Sequence, residues 1–307
     1  MTTTSRPLSA SIFLAFCIAT AYEAAAREIF VSNTLGDDNQ NGRYPTSSDV
    51  GGPVRSLARA MQVAGPGDHI NVANTGVPYR EVVSLSGGNN SGFVALPFVI
   101  AGNGAVLDGS APIPDDAWTA MGSDLYRFKP DGGGNLRLFQ PDGKPVVEVK
   151  LTPGAVRLPK LAEGQWCEHD GYAFFQCAFG KLPLHYRLSY AKLPVGITLE
   201  HVHDVRIVDL VVQGYQRDGV NVHDGVLDAT LGGLTLRGNG RCGISIGGSS
   251  QVVVEGCLLG DNGQSQAKIG GPSTVGFKGC SILETSAPGI VRPKQWEKVF
   301  VDGKRLE

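Results

Sequence analysis

The chain has 307 residues, of which 18% are charged, with a formal net charge of −2 and glycine at 42 positions. That length allows one or two domains. The near-zero charge argues against a nucleic-acid partner, which would favour a basic face, and it leaves sugars open as ligands.

Residues 1–26 read as a signal peptide. Arg6 is the only early charge, an apolar run covers residues 8–22, and Ala24, Ala25 and Ala26 supply the small-residue cleavage site. The run is too short and too polar for a comfortable membrane span. The mature chain is therefore expected to be secreted, or periplasmic in the cell envelope, with no membrane span after cleavage.

Residues 27–110 read as an N-terminal cap followed by the first turns of a solenoid. Ile29, Phe30, Val31 and Ser32 form a first strand, and residues 37–41, with Gly36 and Gly42 on either side, form a loop. Asp37 and Asp38 are turn residues there before they are a metal site. Residues 53–64 predict a short amphipathic helix, with Val54, Leu57, Ala58 and Met61 on one side and Pro53 in its first turn. An open solenoid end exposes its core and strand edges, so a capping element belongs at this place.

Residues 111–195 interrupt the pattern as a β-rich insert. Strands are predicted at 125–128, 136–140, 146–150, 172–175 and 184–188, with hairpin turns at Pro141-Asp142-Gly143 and Asp170-Gly171. Trp118 and Trp166 lie in this insert and Trp296 near the end of the chain; the aromatics read first as the insert's own core. Cys167 and Cys177 flank the second turn and are the best disulfide pair.

Residues 196–307 repeat. Gly196-Ile-Thr-Leu, Gly219-Val-Asn-Val, Gly243-Ile-Ser-Ile, Gln266-Ala-Lys-Ile and Gly289-Ile-Val-Arg follow one another at steps of 23, 24, 23 and 23 residues. A second phrase keeps the same step and breaks at its fifth position, held by Asp209, Gly233, Gly256, Gly279 and Gly303. Asp and Gly tolerate the left-handed backbone that a bend needs. Alternating apolar and polar residues mark strands with one buried face, so each repeat is three short strands that bury their apolar side only by stacking on the next copy. The fold class is all-β, a right-handed parallel β-helix. Cys257 and Cys280 occupy one slot on successive turns and read as a ladder of small buried hydrophobes.

A family resemblance rests on residues 30–109. The order Val31-Ser-Asn, Gly36-Asp-Asp-Asn-Gln-Asn-Gly, Leu57-Ala-Arg-Ala, Pro66-Gly-Asp-His-Ile, Tyr79-Arg-Glu-Val and Gly104-Ala-Val-Leu-Asp-Gly resembles the N-terminal signature of secreted, pectate-lyase-like right-handed β-helix proteins. That family includes polysaccharide lyases, glycoside hydrolases, epimerases and proteins without known activity. The resemblance implies a protein that contacts or processes polysaccharide, with a lyase on uronate-containing glycans as its most specific form. The alternative is a non-catalytic β-helix that binds glycan or serves at the cell surface.

The resemblance also implies chemistry on an outer face of stacked strands. Alternation puts Thr198, Asn221, Ser245 and Lys268 in one outward column and Glu200, His223, Gly247 and Gly270 in the next. A sugar lyase needs a base for the proton alpha to a uronate carboxyl, and a cation or Ca²⁺ to neutralise that carboxylate. Lys268, His223 and Glu200 are the catalytic candidates. Asn221, Arg217 and Arg241 are the substrate-binding candidates, and Arg292 is a further cation. No Asp cluster of Ca²⁺-ligand spacing accompanies them, so Ca²⁺ stays an option without named ligands. Arg241-Cys242-Gly243 resembles the Gly-His-Gly strand of polygalacturonases, but Cys242 stands at the His position and Arg217-Asp218 where two Asp belong. The two-carboxylate machinery is incomplete, and a polygalacturonase is not expected.

Overall fold

The computed structural model describes residues 26–307 apart from 133, 153, 155 and 294. The apolar run read as a signal peptide therefore lies outside the described residues. So does Lys294.

The repeats stack in the register that their spacing dictates. Val83–Ser86, Ile197–Glu200, Asp218–Val222, Cys242–Ile246, Ser265–Ile269 and Ile290–Val291 lie side by side as one parallel sheet, here called the first sheet. Ile197 faces Val220, Val220 faces Ile244, Ile244 faces Ala267 and Ala267 faces Ile290. A second, larger sheet carries the other two strands of each turn. Phe98–Asp108 pairs in parallel with His203–Gln213, whose two halves continue into Leu227–Gly232 and Thr235–Arg237. The sheet bends where the sequence breaks: φ is +56° at Asp209, +60° at Gly233, +59° at Gly256 and +57° at Gly279. Consecutive parallel strands joined this way coil right-handedly. Inside runs one continuous apolar core, with Ile207, Leu231, Val254 and Phe277 stacked from turn to turn.

The N-terminal helix is Leu57–Val63, shorter than residues 53–64. Val54 and Pro53 are committed elsewhere. Val54 donates its N–H to the Phe30 carbonyl at 2.9 Å, and Pro53 accepts from Asp37 N at 3.0 Å. The helix starts only where its free N–H groups find acceptors. Ser56 Oγ accepts from Arg59 N, and the two Glu81 oxygens accept from Leu57 N and Ala58 N, each at 3.0 Å. The later start turns Leu57 and Ala60 inward and leaves Ala58 exposed. Asp38 supports this cap by accepting from Arg55 N and Ser56 N.

Residues 110–191 form two small sheets beside the coil. Thr119–Gly122, Leu125–Phe128, Tyr172–Gln176, Gln165–His169 and Val147–Glu148 make one; Ser110–Pro112, Ser189–Ala191 and Leu138–Phe139 make the other. The strand predicted at 184–188 is instead a 3₁₀ turn, Pro183–Tyr186, followed by Arg187 at φ +48°. Pro183 opens it, and His185 Nδ1 folds back to accept from Leu182 N at 3.0 Å. Trp166 is buried, and Trp118 meets Phe128 edge-on at 4.8 Å, so these rings serve the insert's core. Trp296 is exposed.

The Cys167–Cys177 disulfide does not form, and both thiols are free. Cys167 pairs across the hairpin with Phe174 and shares its small cluster with Leu161. Cys177 is three residues beyond Phe174, and an odd offset on a strand reverses the face. It packs instead with Trp166 and Phe175 on the other side.

Candidate functional site

Thr198, Asn221, Ser245 and Lys268 do form one outward file on the first sheet, each the direct neighbour of the next. Lys268 is exposed, and the other three are half-buried between strands. Beyond them, Glu200 and His223 stand on adjacent turns where the sheet ends, joined by the His223 N to Leu199 O bond of 2.9 Å. Gly247 and Gly270 continue that line without side chains. Glu200 approaches the His201 imidazole at 3.9 Å. Asp224, next to His223, accepts from Ser249 N at 2.9 Å and Gly225 N at 2.8 Å. Those two amides, helped by His201 and His223, hold its carboxyl below the usual carboxylate range. The structure thus adds His201 and Asp224 to the pair read from the sequence. The sequence signal was an acid beside an imidazole on successive turns, Glu200-His201 and then, in exchanged order, His223-Asp224.

The arginines divide. Arg217 lies at the opposite, N-terminal edge of the first sheet, where its carbonyl accepts from Arg241 N at 2.7 Å. Arg241 spends its guanidinium on the fully buried Asp218, with Nε to Oδ1 at 2.8 Å and Nη2 to Oδ2 closing the fork. That hydrogen bond, more than charge alone, raises the Arg241 pKa. Arg292 is likewise buried, donating to Glu297 at 3.3 Å and to the Leu306 carbonyl at 2.7 Å, and so ties down the C-terminal end. Cys242 is buried against Ser265 Oγ at 3.1 Å, and burial pushes its thiol pKa up. Among the described residues, no group of three or more His, Cys, Asp and Glu side chains is placed to share a metal ion.

A second concave feature lies at the corner between the third strand of each turn and the first strand of the next, under the insert. Asp108, Gln213 and Arg237 end three successive third strands in register. Each follows an inward residue, Leu107, Val212 and Leu236, so all three face out. Arg237 Nε donates to Gln213 Oε1 at 2.9 Å, and Gln213 Nε2 donates to Asp108 Oδ2 at 3.4 Å. Arg80 closes the row at 3.9 Å from Asp108 and donates to the Ser110 carbonyl. Gly214, at φ +73°, makes room: a Cβ there would sit 2.8 Å from Asp108 Oδ1. The 141–143 hairpin and Phe139 form the roof, enclosing about 350 Å³. Alternation on the third strands carried the signal for this row, but nothing in the sequence tells where the insert folds back.

A family model described as a right handed beta helix region matches residues 195–292, the stretch of regular turns. By fold, this chain is a right-handed parallel β-helix. No curated protein sequence matches it. Among solved structures it is similar to one named as a glycoside hydrolase, at 13% identity and a TM-score of 0.51, covering 83% of this β-helix chain and 74% of that one. It is also similar to XylC in complex with xylose, at 12% identity and a TM-score of 0.44, covering 89% and 68%. A pectate lyase follows at 13% identity and a TM-score of 0.38, covering 83% and 55%. At such identities the likeness is one of fold, and function belongs to the site.

Proposed function

We propose that this β-helix protein acts outside the cytoplasm on polysaccharide, which it holds on the outer face of the first sheet. The observation that carries this is the straight file of outward polar side chains, Thr198, Asn221, Ser245 and Lys268, flanked by Glu200 and His223. Parallel strands about 4.8 Å apart offer a linear polymer a polar group at each step. The fold it shares with a glycoside hydrolase supports the same reading.

The specific reaction we propose is elimination on a uronate-containing glycan. His223 or Lys268 takes the proton alpha to the uronate carboxyl, and the glycosidic oxygen leaves from the neighbouring carbon as the double bond forms. With His223 as the base, Lys268 is the cation on this face for the carboxylate; Arg217 lies at the far edge of the sheet, where it could reach only a neighbouring sugar unit, and Arg241 and Arg292 are held in ion pairs. Asn221 orients sugar hydroxyls, and Glu200 sits beside the base. A non-catalytic glycan-binding surface is the second reading, favoured by the bare backbone at Gly247 and Gly270.

The test is incubation with pectate, alginate and glycosaminoglycans, with and without Ca²⁺, following the ultraviolet absorbance of unsaturated products. His223→Ala and Lys268→Ala should each lower the rate on the order of 100-fold or more. Both side chains are exposed, so melting temperatures should stay close to wild type. Full activity in both variants rejects catalysis on this face. Binding of a glycan without turnover in wild type upholds the second reading.

A further inference from the structure

The roofed corner cleft is separate from the outer file, and nothing in the outer-face mechanism uses it. Its charge is unbalanced. Arg80, Arg187 and Arg237 line it against Asp108 and Asp142. Asp142 is answered by Lys144 at 2.8 Å, and Asp108 is answered by Arg80. Among the described residues, Arg187 and Arg237 have no carboxylate partner within ion-pair distance. Arg237 gives only Nε to Gln213, which leaves its two terminal nitrogens for another acceptor.

The rest of the cleft is built for a polar ring. Gln213 is fixed between Arg237 and Asp108, with its orientation set by donating to one and accepting from the other. Asp108 is itself held by Ser110 N at 2.8 Å. Phe139 and the prolines at 78, 112 and 141 supply apolar walls. Phe139 is seated on Gly238, where a Cβ would come within 3.2 Å of its ring. A cavity of about 350 Å³ is at the small end for a ligand site and suits one or two sugar units rather than a long chain. A guanidinium fork matches a planar carboxylate, and Asp108 and Gln213 match hydroxyl groups.

We propose that this cleft binds the carboxylate-bearing sugar of an acidic oligosaccharide, with Arg187 and Arg237 on the carboxylate and the Asp108–Gln213 pair on the ring hydroxyls. This deepens the polysaccharide reading and rests on it for the class of ligand. It does not depend on turnover at the outer face.

The experiment is calorimetric titration of the full-length protein with short oligogalacturonate, oligomannuronate, oligoguluronate and glucuronate-containing oligosaccharides. Methyl-esterified forms and inorganic sulfate are the controls. One acidic sugar should bind, and its methyl ester should bind at least tenfold more weakly. Arg187→Gln and Arg237→Gln should each weaken binding by roughly 10- to 100-fold, the range for one charge-assisted contact. Arg237→Lys should recover part of the loss. Both arginines are exposed, so the variants should fold. Wild-type affinity in both Gln variants overturns the proposal. So does a panel in which no acidic sugar binds, or one in which sulfate alone binds as tightly. Acidic-sugar binding lost in these variants, with no turnover of any polymer by wild type, upholds the cleft while rejecting catalysis at the outer face.

Discussion

Asp68 is buried just before the strand His69–Val72, and it accepts from Arg27 Nε at 2.9 Å and Gly65 N at 2.7 Å. Burial by itself would raise its pKa; the hydrogen bonds from Arg27 and Gly65 outweigh it and hold the carboxyl below the usual range. A folded pKa below the unfolded value of about 3.9 makes its contribution complete above that pH and lost as pH falls through the folded value. Asp68→Asn should therefore melt below wild type at neutral pH, with the gap closing under about pH 4. Thermal melts across an acid series check this; a gap that stays constant contradicts it. Elsewhere, single residues do the joining between turns. Asn262 Oδ1 accepts from Asn239 N at 3.0 Å, and Asn239 Oδ1 from Tyr215 N at 3.2 Å, so buried amides at the corners are satisfied from turn to turn. Their spacing of 23 residues was present in the sequence beside the Gly phrases.

At the level of elements, the bends decide whether a turn closes. Gly256 and Gly279 adopt φ of +59° and +57°, which a β-branched residue resists. Space is not the obstacle: a Cβ at Gly279 would meet nothing within 4 Å. The cost of valine is thus backbone strain, roughly 1–2 kcal/mol at each position. Unfolding free energies of Gly256→Val and Gly279→Val from denaturant titration should both fall by that amount, with lower midpoints, and unchanged midpoints would show that the bend tolerates other geometry. The insert obeys the same strand rules, and they separate its cysteines. Burial, with Glu148 and Asp124 adding smaller effects, pushes the Cys167 and Cys177 thiols up to about 11. Both should resist alkylation in the folded protein and react after denaturation without reductant. Protection that requires reductant to lift would restore the disulfide.

Across the whole molecule, each turn contacts the turns beside it, so the coil is a stack whose ends need closing. The helix Leu57–Val63 is packed on Glu28–Val31 and Val83–Ser86 near one end. At the other, Lys298–Val301 pairs in antiparallel fashion with Lys304–Arg305, and Arg292 anchors the last residues. The turns were legible because burial in a parallel sheet follows a strict period of two, and the repeat step sets the register. Leu199, Val222, Ile246 and Ile269 could be placed inward from the sequence, and so could the outward file that includes Asn221 and Lys268. The helix start was legible only in part: its N-cap, Ser56, is local, but Leu57 N and Ala58 N are satisfied by Glu81, and Ser56 is itself held by Asp38, residues that lie 25 and 18 positions from Ser56.

What the sequence determined by itself is the local and the periodic: strand, bend, turn length and the face each side chain takes on a regular turn. These follow from sterics and from alternation, which act between near neighbours or between copies at a constant step. Tertiary structure decided what has no period. It committed Arg241 to Asp218 and Arg292 to Glu297, because burying one charge requires an opposite one close by. It set Cys167 and Cys177 on opposite faces of a hairpin. It also folded residues 139–143 over Asp108, Gln213 and Arg237. That closure depends on how an irregular insert packs against the coil, and packing of unlike surfaces is a property of the whole chain.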